Sequence, residues 1–174
     1  MGKERQQQRE TAAHNTIQLD GINSSDVWSG FRVGRRANIQ IEKFQTDPII
    51  LLQATHDGYQ YLPGHPTHRR LWEMKEHELT ISDTLEGEKS HLIKIFFHFH
   101  PDCHLTLISP TTYSVQNQNS NVTLIIHVDN RLNWDIKPGL WHPHFGSSEA
   151  NIQLQGQYRG LLPMHFSTQL NWER

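Results

Sequence analysis

The sequence predicts one all-β domain, an antiparallel β-sandwich of jelly-roll type with about ten strands. Three observations favour this fold class: apolar residues mostly recur with period two, the apolar stretches have strand length, and turn-forming residues separate them. No amphipathic helix of three turns can be drawn after residue 12. The chain of 174 residues is long enough for one domain with its own core.

Half-buried strands are predicted where apolar and polar residues alternate. Ile17 and Leu19 share one strand face, and Ile39 and Ile41 share another. The run PIILLQAT from Pro48 is continuously apolar, which predicts a strand that is covered on both faces. Further strands are predicted in the stretches LTIS, HLIKIFFHFH, HLTLIS, VTLIIHV, ANIQLQGQY and HFSTQLNW.

Tight turns are predicted between these strands, because glycine tolerates positive φ and proline fixes φ. One segment, LWEMKEHEL from Leu71, fits either a helical turn or two or a strand. The turn signals are Asp20-Gly21, Asp57-Gly58, Pro63-Gly64, Gly87, Ser109-Pro110, the Asn-rich run from Asn117, Pro138-Gly139 and Gly146-Ser147.

Residues 1–10 form a polar N-terminal segment, and residues 11–174 form the predicted sandwich domain. The segment MGKERQQQRE is charged and has no apolar core, so it does not read as a secretory signal. We expect a frayed terminus or a short exposed helix here.

Composition excludes several classes of function. The net charge of -2 gives no global field that would attract nucleic acid or an anionic membrane, so neither is expected as a partner. No apolar run approaches the roughly 18 residues of a membrane span. Cys103 is the only cysteine, which excludes an internal disulfide. The thirteen histidines make metal binding and pH response worth testing.

One segment, WSGFRVGRRA, combines aromatic and cationic side chains. We predict a substrate-binding surface formed by Trp28, Arg32, Arg35 and Arg36, joined by Phe31. Guanidinium groups bind carboxylates through two hydrogen bonds, and aromatic faces stack on sugars. The alternative is a strand whose exposed arginines discourage edge-to-edge aggregation.

A second candidate is the H-x-H pair His98 and His100, which would share a strand face. A transition metal needs three or four ligands, so other histidines would have to complete the site in space. The alternative is a pair of solvent-facing histidines without metal. The candidate ligands that could complete the set are His65, His68, His104, His142 and His144.

A third candidate is structural. Asp57 precedes the run His68-Arg69-Arg70, and an Asp–Arg pair buried across neighbouring strands would fix strand register. Catalytic signatures are missing from the sequence: it contains no G-x-S-x-G elbow, P-loop, Rossmann fingerprint or H-E-x-x-H motif. Cys103 has no orienting Asn or Asp at a recognisable spacing and is expected to be inert.

Four separated blocks resemble the C-terminal β-sandwich region of the heparinase II/III-like polysaccharide lyases. The resemblance runs from about Arg9 to the end of the chain, and AHNT and DGY…HRR are its most specific parts. The blocks are RETAAHNTIQLDGINSSDVWSGFRVGRRA, HDGYQYLPGHPTHRRLWEM, LTISDTLEGEKSHLIKIFFHFHP, and GLWHPHFGSSEA with GLLPMHFST.

The resemblance implies β-elimination on acidic polysaccharides that contain uronic acid. In that reaction a base removes the C5 proton, cationic or polar groups neutralise the carboxylate, and an acid protonates the leaving oxygen. In the family an N-terminal α/α toroid supplies the principal Tyr, His and Asn, and the sandwich holds a divalent metal, commonly zinc. His14, in the AHNT block, matches a metal-ligand position.

The chain departs from the family pattern, because the H-x-H-x-D and D-P-G-T-Y blocks and the toroid would precede its first residue. His98 and His100 fall in another family segment, so the ligand role does not transfer to them. One imidazole is a poor zinc site, so His14 is expected to hold metal weakly or not at all. We expect no catalytic residue in the chain and no lyase activity without a toroid partner.

Two other functions remain open. The chain could be a stand-alone module that binds acidic carbohydrate, or a metal-dependent jelly-roll enzyme built on the histidines. A sandwich without its leading strands would expose an edge or an apolar strip, which predicts self-association or a covering N-terminal segment. Complete relatives are periplasmic or extracellular, whereas the sequence leaves the location of this chain undetermined.

Overall fold

The computed structural model describes residues 2–29, 32–144 and 146–173, with side chains from Arg5 onward. Phe31, which belongs to the predicted carbohydrate-binding surface, lies outside these ranges. The helical elements are α1 (Gly2–Gln8) and a 3₁₀ helix (Thr11–Ala13). The strands are β1 (Ile17–Leu19), β2 (Val27–Trp28), β3 (Arg32–Val33), β4 (Ile39–Gln45), β5 (Ile50–His56), β6 (Thr67–Met74), β7 (Glu78–Glu86), β8 (Ser90–His98), β9 (Cys103–Ser109), β10 (Thr112–Asn117), β11 (Thr123–His127), β12 (Asn133–Trp141), β13 (Glu149–Leu161) and β14 (Met164–Glu173).

Two antiparallel sheets of unequal width face each other across one core, which confirms the predicted all-β sandwich. The narrow sheet has four strands in the order β1-β8-β13-β12. The wide sheet has eight strands in the order β4-β5-β6-β7-β14-β11-β10-β9. A short hairpin pairs β2 with β3. Across the described ranges, no helix is long and apolar enough to cross a membrane.

Because successive side chains of a strand point to opposite faces, every second residue of β8 enters the core. On β8, Ile93, Ile95 and Phe97 point inward and are almost fully buried. They pack against residues of the wide sheet such as Leu85 and Phe166. The opposite face of β8 carries His98, which lines the candidate site described below.

The sequence prediction of about ten strands is too low, since the described residues form fourteen. The segment from Leu71 extends β6 and is not helical. The predicted turn at Pro138-Gly139 is wrong, because both residues lie inside β12. A proline fits there because β12 is an edge strand, where a missing backbone N–H breaks no ladder hydrogen bond.

The prediction that PIILLQAT is covered on both faces is also wrong. Ile50 remains 46% exposed on β5, and the neighbouring β4 presents Ile39, Ile41 and Phe44 at about 70% exposure on the same face. A β-bulge after Ile41 keeps Phe44 on that face. The wide sheet extends beyond the narrow one here. This apolar strip therefore lies on the core-facing side of the wide sheet, but the described part of the narrow sheet does not cover it.

Close packing at Gly156 provides a test of the core. A Cβ at this position would lie 2.8 Å from three ring atoms of Trp134 on the adjacent strand. Gly156→Ala is therefore expected to lower the free energy of unfolding by about 1–3 kcal/mol, measured by urea denaturation. In a Trp134→Phe background the penalty should shrink, because phenylalanine lacks the atoms that clash. An equal penalty in both backgrounds would contradict this explanation.

Candidate functional site

A cleft of about 690 Å³ lies on the outer face of the narrow sheet, between the N-terminal helical segment and strands β8, β12 and β13. This volume suits a small ligand or a few sugar units. We call it the histidine cleft. Its lining includes Arg9, His14, His98, Trp141, Asn151 and Gln153.

His14 is exposed at this cleft and follows directly after the 3₁₀ helix. The next residue, Asn15, is held from both sheets. Its side-chain Oδ1 accepts a hydrogen bond from the backbone N–H of His98 at 2.7 Å, and its carbonyl oxygen accepts one from Nη1 of Arg70 at 2.6 Å. The AHNT block is thus fixed between the two layers, with His14 at the cleft wall.

His98 reaches the same cleft from β8. Its Nε2 donates to the carbonyl oxygen of Ala12 at 2.9 Å, and its ring stacks against Phe96. Burial lowers the pKa of His98; the hydrogen bond to Ala12 opposes this shift and the nearby charge of His14 adds to it. His14 precedes β1 and His98 ends β8. Because β1 pairs with β8, both histidines reach the same cleft although they are far apart in sequence.

His100 does not join His98 in a shared site. β8 ends at His98, and the ring of His100 packs edge-on against Trp141, 4.5 Å between centroids. Of the other predicted ligands, His142 also lines the histidine cleft. His104 contacts Gln118, and His68 is buried in the core.

No three His, Cys, Asp or Glu side chains of residues 2–29, 32–144 and 146–173 are grouped to hold a metal ion. The described residues therefore do not fit the zinc that the family resemblance implies at His14, since zinc sites use three or four protein ligands. Among the described residues, the histidines named for a metal-dependent jelly-roll enzyme likewise form no such group of three.

The histidine cleft carries excess positive charge. Arg5, Arg9 and the histidines line it, whereas Glu10 is the acidic residue among the described lining. Arg9 donates from Nη2 to the carbonyl oxygen of Arg32 at 3.3 Å, which links the helical segment to the β2–β3 hairpin. Carboxylate or sulfate groups are the complementary ligands of such a cleft.

A second cavity of about 430 Å³ contains two of the predicted carbohydrate-binding residues, Arg35 and Arg36. We call it the arginine pocket; it is also lined by Asn38, Asp57, Gln60, Tyr61 and His65. The guanidinium of Arg35 is already engaged: it donates to Asp26 at 2.7 Å and to the carbonyl oxygen of Gly58 at 2.5 Å, and lies 3.5 Å above the ring of Tyr61. Arg36 is exposed.

Trp28 and Arg32 lie outside the linings of both cavities. They face each other across the β2–β3 hairpin, and both are exposed. The ring of Trp28 covers Gly34, where a Cβ would come within 2.5 Å of it. The structure thus separates the four predicted substrate-binding residues into a hairpin pair and a pocket pair.

The predicted pairing of Asp57 with an arginine is wrong. Asp57 accepts hydrogen bonds from Asn38, and the buried partner of Arg70 is Asp83 on β7. Nε and Nη2 of Arg70 donate to the two carboxylate oxygens of Asp83 at 2.7 and 2.9 Å. Directly opposite positions on β6 and β7 bring these side chains together on the core face.

Two histidines extend this ion pair into a hydrogen-bonded chain. His68 Nε2 donates to Asp83 at 2.6 Å, and His56 Nε2 donates to His68 Nδ1 at 3.1 Å. The backbone N–H of Gly58 donates to the remaining nitrogen of His56 at 3.2 Å. Neutral His56 satisfies every contact in this chain. We call these residues the buried network: His56, His68, Arg70 and Asp83.

The sequence analysis names one residue from the C-terminal half of the histidine cleft, His142, and misses its other polar and aromatic members. Trp141, Asn151 and Gln153 belong to β12 and β13, which pair with each other and lie next to β8. The available signal was a strand with polar residues at every second position, but the same alternation is typical of any half-exposed strand.

Comparison with known proteins gives a family and several similar folds. The family model described as heparinase II/III-like, C-terminal, matches residues 2–173. None of the curated proteins compared with the chain matches it.

Solved lyase structures share the fold. A mutant of the heparan sulfate lyase HepC from Pedobacter heparinus superposes with a TM-score of 0.80 at 15% identity, covering 98% of this chain and 26% of that one. Two heparinase III structures give TM-scores of 0.76 and 0.72 at 14% and 12% identity, covering 99% and 93% of this chain and 26% and 24% of theirs. The chain spans about a quarter of the length of these lyases. By the match over residues 2–173, it belongs to the heparinase II/III-like C-terminal domain family of polysaccharide lyases.

Proposed function

We propose that this chain forms the sandwich wall of a polysaccharide lyase cleft and binds acidic polysaccharide that contains uronic acid. The observation that carries the proposal is the position of His14. This histidine of the AHNT block lines a positively charged cleft together with Arg5, Arg9 and Trp141. Cationic groups bind carboxylates, and an indole ring offers an apolar face to a sugar ring.

The proton-transfer chemistry is proposed to come from an α/α toroid partner. β-Elimination needs a base for the C5 proton and an acid for the leaving oxygen. In the histidine cleft, Nε2 of His98 already donates to Ala12, and the arginines stay protonated at neutral pH. The arginines of the cleft are therefore suited to bind and neutralise the carboxylate, and we expect the chain without a toroid partner to form no unsaturated uronate.

Calorimetric titration with a glucuronate-containing tetrasaccharide tests the binding proposal. His14→Ala is expected to weaken binding about three- to tenfold, because one polar contact to a charged ligand is lost. His127→Ala is the matched control: it removes an exposed histidine of the wide sheet that is not part of the cleft lining, and it should leave affinity unchanged.

The outcomes separate binding from catalysis. No binding by the unmodified chain, or equal affinity in both variants, would count against the histidine cleft as the glycan site. Ultraviolet absorbance of unsaturated uronate, followed with the chain alone, tests the toroid proposal. Sustained product formation by the chain alone would show that it contains its own base and acid.

The arginine pocket supports a second candidate function, a carbohydrate-binding module without a catalytic partner. Arg36 is exposed there, and Tyr61 is 49% exposed beside it. Binding at this pocket would weaken with salt, since exposed guanidinium–carboxylate contacts are screened. In the same titration, loss of affinity in Arg36→Ala with unchanged affinity in His14→Ala would favour this candidate.

A further inference from the structure

The wall of the histidine cleft contains two buried amide groups that are only half satisfied. Nδ2 of Asn151 donates to the carbonyl oxygen of Phe99 at 2.9 Å, and Nε2 of Gln153 donates to that of Pro138 at 3.3 Å. The amide oxygens, Oδ1 of Asn151 and Oε1 of Gln153, are buried and have no hydrogen-bond partner. Asn151 as a whole is 8% exposed. An unpaired buried acceptor is unfavourable, so such groups normally have a partner.

Gly139 packs against one of these oxygens. It lies opposite Asn151 in the β12–β13 pair, and a Cβ at this position would come within 2.5 Å of the Asn151 Oδ1 and 3.9 Å of the Gln153 Cδ. Any residue with a side chain would therefore crowd the acceptor. All three residues line the histidine cleft.

We propose that Asn151 and Gln153, beneath Gly139, form a subsite that accepts hydrogen bonds from sugar hydroxyl groups of the bound acidic glycan. This inference rests on the proposed function and names the part of the ligand that this wall recognises. Two neutral amide oxygens require a donor. A metal cation is a poor candidate, because the same cleft holds Arg5, Arg9 and His14.

The cleft then divides recognition between two kinds of contact. The cationic side chains attract the carboxylate or sulfate groups of the glycan, whatever the arrangement of its hydroxyls. The amide oxygens are fixed by their hydrogen bonds to Phe99 and Pro138, so they accept only donors that arrive in the correct position. Hydroxyl recognition of this kind gives specificity because a ligand without the hydroxyl leaves the acceptors unpaired.

The test compares two anionic probes on the full chain. One is a glucuronate-containing tetrasaccharide; the other is an oligomer of acrylate, which has carboxylates but no hydroxyl or N–H donors. Gly139→Ala and Gln153→Met should weaken tetrasaccharide binding about tenfold, as expected for one or two lost hydrogen bonds, and leave acrylate binding unchanged. Gln157→Met is the control, because Gln157 is an exposed glutamine on the same face of β13 outside the cleft lining.

A second measurement uses the amide groups themselves. In ¹H–¹⁵N spectra of the unmodified chain, the tetrasaccharide should shift the side-chain NH₂ signals of Asn151 and Gln153, and the acrylate oligomer should not. If Gly139→Ala fails to fold, Gln153→Met and these signals decide the question.

Each outcome bears on a different proposal. If the variants and the unmodified chain bind the tetrasaccharide equally well, the hydroxyl subsite is overturned and water is its only occupant. The proposed function is then left intact. Failure of the unmodified chain to bind the tetrasaccharide would overturn both. Equal weakening of both probes would show that the substitutions act on charge or folding and would also overturn the subsite.

Discussion

Asp83→Asn is expected to lower the free energy of unfolding by about 3–5 kcal/mol. The substitution keeps the size of the side chain but removes the charge that balances Arg70, and both residues are almost fully buried. Breaking a buried ion pair is costly because the remaining charge stays in a medium that solvates it poorly. Urea denaturation of the unmodified and variant chains measures the difference.

Two further variants show whether the charge is responsible. Glu86→Gln removes an exposed carboxylate from the same strand, 3.7 Å from Arg69, and should change stability by at most about 1 kcal/mol. The double variant Arg70→Met with Asp83→Leu removes both charges and should recover much of the loss. If the double variant is less stable than Asp83→Asn, an uncompensated buried charge is the wrong explanation.

The same ion pair bears on the histidine cleft. Nη1 of Arg70 donates to the carbonyl oxygen of Asn15, the residue that follows His14. The double variant lacks this hydrogen bond even if its stability recovers. Its affinity for the glucuronate-containing tetrasaccharide therefore reports how far the buried network positions His14.

Acid is expected to destabilise the protein through His56. Burial lowers the pKa of His56 from 6.5 to about 4; the charge of His68 and, more weakly, Arg70 act in the same direction, and Asp57 and Asp83 oppose it. The unfolded chain therefore binds a proton on His56 at higher pH than the folded chain does. The stability due to neutral His56 is complete above about pH 6.5 and is lost as the pH falls towards 4, by about 3 kcal/mol in total.

Unfolding free energies of the unmodified chain and of His56→Gln, measured between pH 7 and pH 4, test this expectation. The variant should show a shallower fall, because glutamine does not titrate. His127→Gln, an exposed histidine, should keep the slope of the unmodified chain. Equal slopes in His56→Gln and the unmodified chain would contradict the expectation.

Asp83 acts in a separate pH range. Burial raises the pKa of its carboxyl, but Arg70 and His68 outweigh burial and lower it to about 2. Its contribution to stability is present above the ordinary value of 3.8 and is lost only as the pH falls from there towards 2. The transition due to His56 can therefore be followed before Asp83 protonates.

The sequence by itself determined the sandwich and most of its strands. Alternation is a local property: Ile17 and Leu19 take one face of β1 whatever the strand pairs with. The blocks around His14 and His68 likewise identified the family that the match over residues 2–173 confirms.

The tertiary structure decided which residues meet. His14, His98 and Asn151 come from distant parts of the chain and converge because β1, β8 and β13 are neighbours in the narrow sheet. Arg70 pairs with Asp83 instead of Asp57 because β7 places a carboxylate directly opposite it on the core face. Strand order and the relative width of two sheets are set by contacts across the whole chain, so no local pattern could predict them.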